Sequence, residues 1–197
     1  MINENNPRIV LASSSPYRKA VLAQLKLRFE VAVPHVDETR CAGESPRHLV
    51  RRLAVAKAKA VARDVSSALV IGADQVAVQG RRVVGKPADH AEALKQLREA
   101  AGHTITLYTG IALINSSTGN VQSDVELFRV TLRDIDASTA EAYLLKERPY
   151  DCCGSLRAEG PGVALLDKLS GDDPNALIGL PLIRLTRMLE HEGIRLF

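Results

Sequence analysis

Three charged residues of this chain, Asp74, Lys57 and Lys86, have types and positions that suit chemistry on an anionic ligand. Asp74 lies within the segment Leu69–Val78, which is apolar on both faces and therefore predicts a central, buried strand. A buried carboxylate is costly unless it is paired, binds a metal or faces a polar cleft. A carboxylate at a strand end is suited to catalysis in α/β proteins. The alternatives are a structural salt bridge, or a strand that ends at Ala73.

The two lysines differ in how they are presented. Lys57 lies four residues after Leu53 and four before Val61, inside the apolar stripe of a predicted helix. An inward ammonium group there can bind phosphate, whereas the alternative is a packed stem whose head reaches solvent. Lys86 stands in the turn Gly85-Lys86-Pro87, which gives it a defined direction. An ordinary surface lysine is the alternative.

A predicted helix start supplies further groups that can bind phosphate. Ser15 is a good N-cap and Pro16 suits the first helical position. The free N–H groups and the positive dipole end of such a helix attract anions, and Ser13 and Arg18 add donors. The P-loop pattern GxxxxGK[ST] is absent. A plain capping box, without any ligand, is the alternative.

Two loops complete the set of candidate residues. Val36-Asp37-Glu38 brings two acids together after a predicted strand, and carboxylate oxygens are the ligands that Mg²⁺ prefers. The glycine-rich loop Gly154–Gly162 can fold closely around a ligand, with Glu159 placed to accept hydrogen bonds from a base. Solvated acids and a plain surface loop are the respective alternatives.

Composition excludes several other classes. The chain has 197 residues, 46% of them apolar and 25% charged, which favours one globular domain over residues 1–197. A net charge of only +3 gives no signal for nucleic-acid binding. We expect no signal peptide, no membrane span and, from three cysteines that form a poor disulfide framework, a cytoplasmic location. The patterns HExxH, CxxC and GxSxG are absent.

Strand-like and helix-like segments alternate along the chain, which predicts an α/β fold. Two long strands around a turn at Ser116–Asn120 favour a mixed, twisted sheet with flanking helices, in two lobes around a central cleft. The predicted strands are Arg8–Ala12, Phe29–Val33, Ala68–Val78, Thr104–Asn115 and Val121–Arg133. The predicted helices cover residues 16–25, 46–63, 89–101, 138–147 and 181–192.

Taken together, these segments resemble the Maf family of nucleotide pyrophosphatases, also called septum formation inhibitor proteins. They occur in the family's order: Leu11-Ala12-Ser13-Ser14-Ser15-Pro16-Tyr17-Arg18, Val36-Asp37-Glu38, Ala56-Lys57-Ala58, Gly72-Ala73-Asp74-Gln75, Gly85-Lys86-Pro87, Gly154-Ser155 with Glu159-Gly160, and Ile178-Gly179-Leu180-Pro181-Leu182. The chain departs from the usual family pattern at Tyr17, Gln75 and Glu159. These departures, and the segment Asp172–Asn175, are similar to the branch that acts on 7-methyl-GTP.

The resemblance implies a role for each matching residue. Asp74 would accept a proton from water, with Lys86 and Glu38 as further catalytic residues. Glu38 and Asp74 would hold Mg²⁺ or Mn²⁺. Ser13, Arg18 and Lys57 would bind phosphate, and Tyr17, Gln75 and Glu159 would set base preference. The implied partner is a small-molecule nucleotide, and a homodimer is also implied.

Two other functions stay open at this point. One is a regulator of cell division that binds a nucleotide or a division partner without hydrolysing it. The other is a house-cleaning pyrophosphatase for dTTP, UTP or non-canonical nucleotides.

Overall fold

The computed structural model of the protein describes residues 7–197. The expectation of no signal peptide rests mainly on residues 1–6, which lie outside the described residues. The strands are β1 Arg8–Ala12, β2 Glu30–Ala32, β3 Ala68–Gln79, β4 Arg82–Val84, β5 Thr104–Asn115, β6 Val121–Leu132 and β7 Leu166–Gly171. The helices are α1 Pro16–Ala23, α2 Pro46–Ala62, α3 His90–Ala100, α4 Ala137–Glu147 and α5 Leu182–His191. Short 3₁₀ segments cover Cys153–Ser155, Gly160–Leu165 and Pro174–Leu177.

Within the described residues the strands form a seven-stranded mixed sheet. Its order is β2-β1-β3-β5-β6-β7, and β4 pairs with β3. β1 runs parallel to β2 and β3, with Ala12 opposite Gly72, while β4 is antiparallel to β3 and β7 is antiparallel to β6. This architecture, with its flanking helices, confirms the predicted α/β class and the mixed sheet.

The helices begin at the residues that local chemistry favours. Ser15 and Ser45 cap α1 and α2, each followed by proline, while Asp89 and Asp136 cap α3 and α4. Each of these side chains accepts a hydrogen bond from a backbone N–H in the first turn. The predicted bounds of the helices are therefore confirmed to within about two residues. The short strand β4 and the exposed strand β7 were not predicted.

The chain divides into two compact units. Among the described residues, unit 1 contains residues 7–74, 109–126 and 173–197, and unit 2 contains residues 75–108 and 127–172. The long strands β3, β5 and β6 each contribute residues to both units. The expected central cleft stays a prediction, as does the interpretation of residues 1–197 as one domain.

In unit 1, helices cover both faces of the sheet because the strand side chains alternate. Ile9 and Leu11 of β1 belong to the apolar cluster that contains residues of α1 and α5. Val10 and Ala12 belong to the cluster that contains Ala54 of α2. These two clusters make the core of unit 1.

α2 lies unusually close to the sheet because two strand residues have no side chain. A Cβ atom at Gly72 of β3 would overlap the carbonyl oxygen of Ala54 and lie 2.8 Å from the backbone nitrogen of Ala58. A Cβ atom at Gly110 of β5 would overlap the carbonyl oxygen of Val50. The helix backbone therefore packs directly on the strands.

No helix within residues 7–197 has the length and apolar character needed to cross a membrane. Cys41, Cys152 and Cys153 are free thiols.

We expect Gly72→Ala to destabilise the fold by about 2 kcal/mol or more, because the added methyl group meets helix backbone that cannot rotate away. The free energy of unfolding in urea measures this effect. Gly85→Ala is the matched control, since a Cβ atom there meets nothing within 4 Å. Equal stability of the two variants would contradict the close packing of α2.

Candidate active site

Asp74 lies within β3, which continues to Gln79, so the strand does not end at Ala73. Asp74 is only 5% exposed, and Lys57 of α2 is only 6% exposed. The Nζ atom of Lys57 donates a hydrogen bond to Oδ1 of Asp74 at 2.6 Å. The alternative of a Lys57 head that reaches solvent is therefore wrong, and the two buried charges compensate each other.

Glu38 shares the same ammonium group. Its Oε1 atom lies 2.9 Å from Nζ of Lys57, while 60% of the Glu38 side chain is exposed. Lys57 therefore bridges a buried carboxylate and an exposed carboxylate. The alternative of a Glu38 carboxylate that is merely solvated is not what the structure contains.

The start of α1 holds Ser13 and Arg18 in a fixed arrangement. The Oγ atom of buried Ser13 accepts hydrogen bonds from the backbone N–H of Ser15 at 3.2 Å and from Nη1 of Arg18 at 3.5 Å. Nε of Arg18 donates to the carbonyl oxygen of Gly179 at 3.0 Å. Tyr17 lies half-buried in the same first turn. The predicted cap is confirmed, and the turn also presents a guanidinium group.

Burial raises the pKa of Asp74 above the ordinary value for an aspartate. The charge of Lys57 and its hydrogen bond act in the opposite direction, as does the charge of Arg18, while Glu38 adds to the rise. A carboxylate whose pKa is raised in this way is a better proton acceptor than an ordinary aspartate. The geometry and the electrostatics therefore both suit a general base.

The same carboxylates fit a divalent metal ion. Oxygens of Asp74 and Glu38 both contact one cation, the ammonium group of Lys57, so both can approach a common position. Mg²⁺ is commonly held by one or two carboxylates, with water and substrate phosphate as its other ligands. Within residues 7–197, no group of three or more His, Cys, Asp or Glu residues is placed to hold a metal ion. A metal ion at Asp74 and Glu38 would therefore need further ligands from water or substrate phosphate.

The remaining candidate residues belong to unit 2. Gln75 is half-buried directly after Asp74, while Lys86 and Glu159 are exposed. The Cys153–Ser155 turn contacts the backbone at or beside two of these residues. Sγ of Cys153 donates to the carbonyl oxygen of Gln75 at 3.7 Å. The Gly154 N–H donates to the carbonyl oxygen of Gly85 at 3.1 Å.

Glu159 lies in a tightly closed loop. A Cβ atom at Gly162 would overlap the carbonyl oxygen of Arg157, so the two ends of this loop meet at backbone distance. The Arg157 N–H donates to the hydroxyl of Tyr143 at 2.8 Å. Burial raises the pKa of Tyr143 to about 12, so this hydroxyl stays protonated. The loop is therefore more constrained than its glycine content indicates.

A model of the Maf-like protein family matches residues 8–192 of the chain. This chain belongs to the Maf-like family. Three relatives carry the name 7-methyl-GTP pyrophosphatase. The Nitrosococcus oceani protein is 52% identical, over 95% of this chain and 94% of its own length. The Albidiferax ferrireducens protein is 46% identical, over 95% of this chain and 94% of its own length. The protein of a Polaromonas species is 49% identical, over 96% of this chain and 86% of its own length. The predicted family resemblance is confirmed.

A solved structure, the Staphylococcus aureus Ham1 protein, is 15% identical over 64% of this chain and 72% of that chain, with a TM-score of 0.46.

Cys152 of this Maf-like chain does not suit nucleophilic catalysis. Burial, with the neighbouring carboxylate of Asp151, raises the pKa of Cys152 to about 11. The thiol is therefore protonated at neutral pH, whereas a nucleophilic cysteine needs a lowered pKa.

Sequence reasoning missed two residues that shape the site. Gly110, like Gly72, allows the backbone of α2 to pack directly on the sheet. A single glycine in a long strand gives little indication of such a contact in the sequence. Gln96 of α3 is 6% exposed and lies in a stripe with Ala93, Leu97 and Ala100. A polar residue inside an apolar stripe was the signal that identified Lys57, and the same signal was available for Gln96.

We expect Lys57→Met to raise the pKa of Asp74 further. The Lys57 charge and hydrogen bond favour the carboxylate and so lower the pKa of Asp74, whereas burial raises it. When Lys57 is removed, the effect of burial is less compensated and the pKa rises. If Asp74 is the base, the acidic limb of any pH–rate profile moves to higher pH. Carboxyl-carbon NMR of Asp74 measures the pKa directly.

Lys59→Met is the matched control, because Lys59 is an exposed lysine of the same helix. An unchanged or lowered pKa of Asp74 in Lys57→Met, or an equal shift in both variants, would contradict the assigned pairing.

Proposed function

We propose that the protein is a hydrolase that converts 7-methyl-GTP and water to 7-methyl-GMP and pyrophosphate. The observation that carries the reaction type is the buried carboxylate of Asp74, with its raised pKa, in contact with Lys57. The 46–52% identity to relatives named 7-methyl-GTP pyrophosphatase supports the choice of substrate.

In the proposed reaction, Asp74 removes a proton from a water molecule. The water oxygen forms a bond to the α-phosphorus, and the bond from that phosphorus to the oxygen bridging the α- and β-phosphates breaks. The electron pair of the broken bond leaves with pyrophosphate. Such transfers depend on positioning and charge stabilisation more than on covalent help from the protein.

Cationic groups neutralise the triphosphate. Arg18 and Lys57 supply two charges in unit 1, and Ser13 and the N–H groups at the start of α1 supply hydrogen-bond donors. Lys86 is proposed as a third cation for phosphate and as a catalytic residue. Mg²⁺ or Mn²⁺, held by Glu38 and Asp74, would supply further neutralisation of phosphate charge.

Tyr17, Gln75 and Glu159 are proposed to set the base preference. Methylation at N7 makes the guanine ring cationic, and an aromatic face attracts a cation. A carboxylate can accept hydrogen bonds from N1 and N2 of guanine while offsetting the ring charge. A thymine or uracil would instead present a carbonyl oxygen to Glu159, which is unfavourable.

We also propose where the protein acts, how it assembles and how its chain is organised. We expect it to act in the cytoplasm as a homodimer, with residues 1–197 forming a single domain and without nucleic acid as a partner. Sedimentation velocity measures the oligomeric state.

We expect Asp74→Asn to lower kcat by about 100-fold or more, because general-base catalysis contributes about 10²–10⁴-fold. Pyrophosphate release is measured with Mg²⁺ on 7-methyl-GTP, GTP, dTTP and UTP. Asp64→Asn is the matched control, because Asp64 is exposed just after α2. Circular dichroism confirms that both variants are folded.

Each outcome of this panel bears on a different part of the proposal. Retention of most activity in Asp74→Asn would exclude Asp74 as the base. Preference for dTTP or UTP would keep the reaction and overturn the substrate. Nucleotide binding without pyrophosphate release by the unsubstituted protein would favour a regulatory binding protein.

We expect Glu159→Gln to reduce the preference for 7-methyl-GTP over UTP by roughly 10-fold, because a hydrogen bond to a charged group contributes about 1.5–3 kcal/mol. The ratio of kcat/KM values for the two nucleotides measures this preference. Glu190→Gln, at an exposed position of α5, is the control. An unchanged ratio in Glu159→Gln would remove Glu159 from base recognition.

A further inference from the structure

A buried hydrogen-bonded pair in unit 2 has no place in the reaction described above. Ser155 is fully buried, and its Oγ donates to Oε1 of Gln96 at 2.6 Å. The other end of the same amide, Nε2 of Gln96, donates to the carbonyl oxygen of Gly85 at 3.4 Å and to Oε1 of Glu92 at 3.5 Å. Gln96 therefore connects the Cys153–Ser155 turn with the residue that precedes Lys86.

The turn itself adopts a backbone conformation that serine rarely takes. Gly154 has φ 71° and Ser155 has φ 56°, so two consecutive residues are left-handed. Glycine adopts this conformation easily, but serine does so at a cost. The buried hydrogen bond to Gln96 gives a physical reason for serine at this position.

The turn also lies close in the structure or the chain to the three candidate residues of unit 2, which are Gln75, Lys86 and Glu159. Cys153 donates to the carbonyl oxygen of Gln75, and Gly154 donates to the carbonyl oxygen of Gly85, next to Lys86. The chain then runs from Ser155 directly into the closed loop that carries Glu159. The turn therefore contacts the backbone at Gln75 and beside Lys86, and Glu159 follows it four residues along the chain.

We propose that Gln96 and Ser155 are positioning residues, which hold the Lys86 turn and the Glu159 loop in one geometry for nucleotide recognition. This inference rests on the proposed function, because it takes Lys86 and Glu159 as ligands of the nucleotide. Neither Gln96 nor Ser155 touches the substrate, since both side chains are buried and bonded to protein.

A purely structural role makes a different prediction. Removal of one partner leaves a buried polar group unsatisfied and destabilises the fold, whereas removal of both partners is close to neutral. If stability were the only role, the double variant Gln96→Leu/Ser155→Ala would recover normal kinetics with normal stability. A positioning role predicts that recognition stays impaired in the double variant, because the link is still missing.

The experiment compares Gln96→Leu, Ser155→Ala and the double variant with the unsubstituted protein, at a temperature well below every Tm. For the double variant we expect KM for 7-methyl-GTP to rise about 10-fold and kcat to fall by a smaller factor, since Lys86 is displaced but the Asp74 cluster is untouched. We also expect the ratio of kcat/KM for 7-methyl-GTP to kcat/KM for GTP to decrease. Amide hydrogen exchange of residues 85–86 and 156–160 should become faster.

The variant Ser155→Gly distinguishes the effect of the lost hydroxyl from the effect of backbone strain. This variant relieves the left-handed strain and removes the hydroxyl, so a positioning role through the hydrogen bond predicts the same rise in KM as in Ser155→Ala. A normal KM in Ser155→Gly would assign the effect to backbone strain and would overturn the proposal.

The readouts also separate this inference from the proposed function. If the unsubstituted protein prefers another nucleotide, the substrate is wrong, but KM for that nucleotide tests the positioning role equally. Hydrogen exchange needs no nucleotide and reports on the link even without turnover. Unchanged exchange in both segments, or an unchanged KM of the double variant for the preferred nucleotide, would overturn the positioning role.

Discussion

The site in unit 1 depends on one constraint, the direct contact between the backbone of α2 and the strand that carries Asp74. Gly72 has no side chain, so the helix lies close enough for Lys57 to reach Asp74 at 2.6 Å. Neither charge would be tolerated alone at 5–6% exposure, because an unpaired buried charge is very costly. A small side chain at position 72 would push the helix away and lengthen the bond between them. The proposed chemistry therefore depends on a packing detail two residues away from the base.

A buried ion pair such as Lys57 with Asp74 is weak evidence for a stabilising role. Apolar residues of similar volume are often as stabilising as a buried salt bridge, or more so, because two charges must be taken out of water. Glu38 adds a second reason to look beyond stability, because its exposed carboxylate contacts the same ammonium group. An incoming phosphate would compete with both carboxylates for Lys57. In the proposed reaction such competition would weaken the Lys57 contact that favours the Asp74 anion, whereas a metal ion held by Asp74 and Glu38 would favour that anion.

Local sequence patterns predicted the parts of this protein that local physics decides. The Ser15-Pro16 cap, the strand from Arg8 to Ala12 and the misplaced charges of Asp74 and Lys57 could all be identified without a structure, because each breaks or completes a short-range pattern. β4 is only three residues long, and β7 is largely exposed, so neither carries an alternating apolar pattern. The bond between Ser155 and Gln96 joins residues 59 positions apart, and only the folded chain brings them together.

The buried polar groups beside the candidate residues differ between the two units, although unit 2 also contains ion pairs such as Arg157 with Glu147. Unit 1 concentrates charge at Arg18, Lys57, Asp74 and Glu38, which suits proton transfer and the neutralisation of phosphate. The buried link in unit 2, between Gln96, Ser155 and the Gly85 carbonyl, consists of neutral groups. Discrimination between bases needs donors and acceptors at fixed positions, and neutral hydrogen bonds fix them without the larger cost of burying charge. A charged residue in place of Gln96 would add that desolvation cost to the link that is proposed to position Lys86 and Glu159.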